Sequence, residues 1–188
     1  MTESTLIWIV LTPLVGALAV LLTDRWPNLR EAVSLITGGA LIAQVMTLIS
    51  PVLAGESLSV LLVTPVPGVP LALQIEPLGL LFALIAAVLW VATTVYAIGY
   101  MRGHGEQHQT RFYAFFAIAI SATMGVALAQ NLFTLFLFYE LLTLSTYPLV
   151  THAGSDEAKR GGRVYLGILM GTSMGFLLLA VIWTWHLA

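Results

Sequence analysis

The sequence predicts an all-α polytopic membrane protein of about six transmembrane helices, N-out and C-out, with a β-hairpin at 57–75 on the outer face. Three observations carry that prediction. Of 188 residues, 59% are hydrophobic and 9% charged, with a mean hydropathy of +0.97, whereas a soluble domain carries about 25% charged residues. The apolar residues gather in runs of about 20, the length that crosses a hydrocarbon core of about 30 Å. The seven Lys and Arg residues all fall on alternate connections between those runs.

Six spans follow in order: Leu6–Leu22, Ala32–Ser50, Leu78–Tyr100, Phe112–Ala129, Leu132–Val150 and Val164–Trp185. The leader MTEST carries Glu3 and no basic residue, whereas a signal peptide opens on a basic stretch and has a shorter apolar run. The first span is therefore expected to be retained. Arg25 and Arg30 follow the first span, Arg102 and Arg111 bracket the connection after the third, and Lys159, Arg160 and Arg163 follow the fifth. The positive-inside rule then places both termini outside. A net charge of −2 says little about partners beyond the bilayer, and nothing in the chain points to nucleic acid.

Between the second and third spans, LSVLLV and LALQI are short, apolar and strand-like, and the Pro/Gly turn TPVPGVP separates them. Such a pattern reads as a hairpin or as an irregular loop. The fourth and sixth spans carry small residues at four-residue spacing: Ala117, Ser121, Gly125 and Ala129 in one, Gly167, Gly171 and Gly175 in the other. Strips of this kind let membrane helices approach closely, so helix packing is the role expected of Ser121, Gly125 and the three glycines.

Cysteine is absent, which excludes disulfides, thiolate-bound zinc and cysteine-held iron–sulfur clusters on this chain. No cofactor motif is present either. No cofactor is therefore expected here, and any redox chemistry must sit on a partner. His104 and His108 bracket Glu106 in the inner connection RGHGEQHQT. The spacing suits zinc on a helix, but a glycine-bearing solvated loop without further ligands leaves the metal expectation at none. His186 is expected at the outer interface.

The residue that most needs a reason is Glu140. It stands near the middle of the fifth span, about 13–14 Å along a helix from Asn131 at 1.5 Å per residue. A charge at that depth costs roughly 2.5–3.5 kcal/mol on insertion scales. No other Asp, Glu, Lys or Arg is expected inside an apolar run, and no intramembrane Lys, Arg or His offers itself as a partner. Inward of Glu140 lie Thr143, Ser145, Thr146 and Tyr147, then Pro148, which removes a backbone donor and frees the carbonyl of Leu144. His152 closes the run at the inner surface, where it serves equally as a helix-end cap. Two readings are open: a proton path through Glu140 and these candidates, or a structural acid holding helices in register.

The run IGYMRGHGEQHQTRFYAFFAIAISATMGVALAQNLFTLFLFYELLTLSTYPLV resembles the antiporter-like membrane subunits of respiratory complex I. Mrp-type Na+/H+ antiporter subunits and the membrane arms of energy-converting hydrogenases share that family. The matching elements are Ile98-Gly99-Tyr100-Met101, Arg111-Phe112-Tyr113, Met124, Asn131-Leu132, and Phe138-Tyr139-Glu140-Leu141 with Ser145 and Tyr147. LALQIEPLGLLF is similar too, with Glu76 where the family usually shows Asp.

The resemblance implies proton translocation, with Glu140 matching an essential buried acid that pairs with a lysine on a broken seventh helix. It also implies a division into an N-terminal three-helix part, 1–111, and the start of an inverted repeat, 112–188, within one membrane domain. The family fold has about fourteen helices, so the expectation here is a short or split subunit. Neighbouring membrane subunits would supply the broken helix and its lysine. The host would be an NADH:quinone-type or hydrogenase-type oxidoreductase, or a multisubunit Na+/H+ antiporter, in a cytoplasmic or equivalent energy-coupling membrane. The alternatives are a non-pumping scaffold or remnant, and an integral membrane hydrolase or quinone reductase using Glu140 as its acid.

Overall fold

The computed structural model describes residues 2–187; Met1 and Ala188, the ends of the single membrane unit expected over 1–188, lie outside the described residues. Helix α1 (Thr2–Leu22) is followed by α2 (Pro27–Thr47), the short α3 (Ile49–Leu53) and strands β1 (Leu58–Val66) and β2 (Val69–Ile75). Then come α4 (Pro77–His104), α5 (Gln109–Ala127), α6 (Leu132–Val150) and α7 (Asp156–Thr172). A π-helical turn, Ser173–Leu177, joins α7 to α8 (Leu178–Leu187). Among the described residues, six runs are long and apolar enough to cross a membrane: Ser4–Leu22, Pro27–Leu53, Pro77–His104, Gln109–Ala127, Leu132–Val150 and Asp156–Leu187. The six expected spans and the hairpin are all present.

The helix ends follow local chemistry. Proline opens α2 and α4, where its missing N–H costs nothing. Asn131 caps α6 by accepting from the Thr134 amide at 2.9 Å, and Ser155 caps α7 by accepting from Ala158 at 3.1 Å. Each satisfies a backbone donor that the first turn leaves orphaned. Asp156 and Glu157 then sit in the first turn of α7, on the favourable side of its dipole.

Helix α5 is the centre of the bundle, touching α1, α2, α4 and α6. Over half of its apolar window is buried, 56%, against 11% for the sixth span. Its small residues make that centrality possible. Ser121 is fully buried and donates to the Val10 carbonyl of α1 at 2.7 Å. Gly125 lies directly under the Phe138 ring of α6. The sixth span behaves differently. Its buried residues are Gly162, Ser173 and Val181, whereas Gly167, Gly171 and Gly175 are exposed, and a side chain added at any of the three would meet open space. The glycine strip expected to pack therefore touches no described neighbour, because another seam of the helix is turned toward α6.

The hairpin is antiparallel, from Leu58 opposite Ile75 to Val66 opposite Val69, and Gly68 takes the left-handed φ of 81° that its turn needs. It is seated by the turn between α5 and α6. Leu73 bridges to Ala129, Gln74 N–H donates to the Leu128 carbonyl at 2.7 Å, and Gln130 N–H donates to that of Ala72 at 3.1 Å. The Asn131 amide donates to the Pro70 carbonyl at 2.9 Å, and the Ala72 N–H to the buried Thr134 hydroxyl at 3.0 Å. The turn between α5 and α6 is thus the hairpin's third rail, and it fixes the start of α6.

Gly125→Val should force apart α5 and α6 and lower stability by about 1–3 kcal/mol, the range for overpacking. Gly171→Val should leave the purified chain's unfolding temperature nearly unchanged. Thermal unfolding of both variants in detergent checks the contrast.

Candidate functional site

Helix α6 presents two different faces. Phe138 meets α5 at Gly125, and Thr134 holds β2. On another ridge, Phe133, Glu140 and Tyr147 recur at seven-residue spacing, which on a helix is nearly two full turns. The flanking members of this ridge face the sixth span. Tyr147 lies against Gly162, and Phe133 shares a cavity with Val181 and Trp185. Glu140 therefore sits on the seam between α6 and the sixth span. It is 8% exposed, and both carboxylate oxygens are enclosed with no hydrogen-bond partner among the described residues.

Thr143 and Ser145 are buried, and Thr146 and Tyr147 half-buried. Their hydroxyls do not form one continuous chain. Ser145 donates to the Leu142 carbonyl and Thr146 to that of Thr143, each at 2.9 Å, and further inward Thr151 donates to Tyr147 at 2.9 Å. Each returns its proton to its own helix, as membrane Ser and Thr commonly do. Thr146 also lies 3.1 Å from the Tyr165 hydroxyl. Since the single Thr146 proton goes to Thr143, Tyr165 is the donor there. Tyr165 escaped the sequence reading, although a tyrosine in the first apolar turn of the next span was the available signal.

His152 lies just beyond α6. Both its ring nitrogens are enclosed without a partner among the described residues, Phe112 stands edge-on at 5.6 Å, and Arg111 donates to its carbonyl at 3.3 Å. Burial, reinforced by the Arg111 guanidinium, holds its imidazole below the usual histidine range. His104 stacks on Tyr100 at 4.3 Å, and His108 immediately precedes α5 with a positive φ of 55°. Among the described residues no three His, Asp or Glu gather closely enough to hold a metal. His186 is exposed.

Glu140 is not the sole buried charge among the described residues. Helix α2 begins at Pro27 rather than Ala32, so its first turns carry Arg30 and Glu31 into the bundle, each 5% exposed. Arg102 of α4 grips Glu31 in a two-pronged pair, Nε to Oε1 at 2.9 Å and Nη2 to Oε2 at 2.5 Å. Arg30 lies 3.8 Å from the same carboxylate. It donates to Thr110 at 2.9 Å and Gln109 at 2.7 Å on α5, and stands over the Tyr113 ring at 5.3 Å. Three helices are tied at one end by this cluster, which lines an open cavity of about 750 Å3. Adjacent Arg-Glu at a helix start was its only trace in the sequence.

The family model described as "NADH:quinone oxidoreductase/Mrp antiporter, TM" matches residues 129–188, which contain Glu140 and the sixth span. Among curated relatives is the Na(+)/H(+) antiporter subunit A1 of Staphylococcus aureus, strains bovine RF122 / ET3-1, JH9 and Newman. Each is 28% identical over 142 residues, covering 72% of this chain and 18% of the relative. The matched stretch is thus under a fifth of those relatives' length. Among solved structures, a chain from the membrane-bound sulfane sulfur reductase, an archaeal respiratory membrane complex, superposes with a TM-score of 0.78. It shares 20% sequence identity, over 96% of this chain and 28% of that one, and carries the fold alone. The resemblance to the antiporter-like subunits is borne out, and the chain is an integral membrane protein.

Two outcomes are expected at this end of the bundle. Glu31→Ala strips the buried Arg30 and the exposed Arg102 of their shared carboxylate, leaves Arg30 as an uncompensated buried charge, and should lower the unfolding temperature; thermal unfolding reads it. His152 should titrate below about 6.5 in NMR spectra of ring-labelled protein. Since folding favours its neutral form, its contribution to stability is present above the unfolded value and is lost as pH falls through the folded one.

Proposed function

We propose that this chain, like the antiporter-like subunits it resembles, is part of an ion-translocating membrane complex, and that Glu140 carries a proton within it. The single observation that supports this is a carboxylate buried near mid-membrane with both oxygens unpartnered among the described residues. A permanently ionised, unpaired acid at that depth would cost several kcal/mol. A group that alternates between protonated and ionised, with a cation arriving from beyond these 188 residues, meets no such standing penalty. The approach and withdrawal of that cation then set where the proton resides.

In this reading Thr143, Ser145, Thr146, Tyr147 and His152 supply the inward route. Their hydroxyls must turn from their own carbonyls, and water must join them, for a proton to pass. The energy source, redox chemistry or cation exchange, lies on partner subunits, and no cofactor is assigned to these residues.

A second reading has its own support. The sixth span is only 11% buried, and its open glycine face suits docking to other membrane helices. A scaffold subunit would need that face and would leave Glu140 idle. Glu140→Gln separates the two: it keeps the shape and removes the titratable proton. Proton uptake by membrane vesicles carrying the complex should fall to background in this variant while its subunits still co-purify. Undiminished uptake would leave the scaffold.

A further inference from the structure

The π turn at Ser173–Leu177 is a local irregularity that the proton path described above does not use. Such turns widen a helix by one residue and recur at working sites. Its position along the seam is fixed at both ends. At the inner end Gly162 lies against Tyr147 and Thr151. At the outer end Val181 lines one cavity with Leu132 and Phe133. Ser173 stands eleven residues beyond Gly162 and eight before Val181. Two antiparallel helices rising about 1.5 Å per residue bring it level with Glu140. Ser173 is also one of the few residues of the sixth span that is buried, at 4% exposure, and the turn it opens packs on α6.

We infer that Ser173 is a positioning residue for Glu140: its hydroxyl, on the first residue of the π turn, swings across the seam to donate to the carboxyl oxygen that faces it. The Ser173 hydroxyl now donates to the Met170 carbonyl at 3.1 Å, a bond within its own helix that a change of χ1 releases. Across the seam stand two acceptor oxygens that lack any described donor. No bond is made or broken covalently; one hydroxyl hydrogen changes acceptor. The exchange gives Glu140 a donor from a span that the rest of the bundle holds loosely, so movement of the sixth span alters the carboxyl's hydrogen bonding. This inference rests on Glu140 being a working acid, yet its test does not depend on transport.

The test is infrared difference spectroscopy of the complex in its native membrane, with the Glu140→Gln spectrum subtracted to isolate the Glu140 carboxyl stretch. In Ser173→Ala that stretch should shift, through loss of a hydrogen bond, and in Ser173→Thr it should return to the wild-type position. An unshifted band in Ser173→Ala overturns the assignment, and so does an equal shift in both variants, because the hydroxyl would then be immaterial. Loss of transport in Glu140→Gln together with an unshifted Ser173→Ala band would remove Ser173 and leave the proton-carrying role of Glu140 standing.

Discussion

A bilayer core offers no hydrogen bonds, and each unsatisfied polar group there costs several kcal/mol. Most of the architecture is a response to that constraint. Thr12 and Gln44 satisfy each other across α1 and α2. Ser121 spends its proton on Val10, and Thr94 on its own helix at Trp90. The charges of Arg30, Glu31 and Arg102 are gathered at one end, where one carboxylate is shared by two guanidinium groups beside an open cavity. Even the hairpin obeys, since its inner strand finds acceptors and donors in the turn that starts α6. The Tyr113 hydroxyl, the His152 ring and Glu140 depart from this pattern, and of these Glu140 is the carboxylate mid-way along a span, with two enclosed oxygens and no described partner.

In the proton-carrying proposal, the setting of Glu140 gives this exception a use. On one side α6 is pinned, by Phe138 over Gly125 and by Thr134 on β2. On the other it meets the sixth span through a narrow seam of Gly162, Ser173 and Val181, with Thr146 and Tyr165 as a direct side-chain bond. A carboxyl on the pinned face would be fixed in one environment. On the seam, its surroundings change whenever the sixth span or a helix beyond it moves. That difference between a static and a variable environment is what an acid that takes up and releases protons requires.

Periodicity and charge partition made the fold legible. Six apolar runs, seven basic residues on alternate connections and two strand-like segments around TPVPGVP were sufficient, because length and burial in lipid dictate helices directly. Glu140 was legible for the same reason, as an ionisable residue inside an apolar run. The Arg30–Glu31–Arg102 cluster was not. Its members sit at helix ends, where charges are ordinarily solvated, and only the packing of α2 against α4 and α5 buries Arg30 and Glu31. The sixth-span strip failed differently. Four-residue spacing of Gly167, Gly171 and Gly175 signals a close approach without saying to whom, and here the α6 seam runs through other residues. Ser173 was invisible, and Tyr165 showed only as a tyrosine in the first apolar turn of its span, because their part depends on antiparallel register between two spans, which no single-helix pattern encodes.

The central claim is that the charge partner of Glu140 comes from beyond these 188 residues. The most direct measurement is mild-detergent purification of the tagged protein from its native membrane, with the helices in contact with position 140 identified by cross-linking and mass spectrometry. Substituting cysteine there is clean, because the chain has none of its own. The predicted result is a cross-link to a membrane helix carrying a lysine at matching depth. A protein that emerges alone, stable and with position 140 reaching only its own sixth span, would contradict the claim.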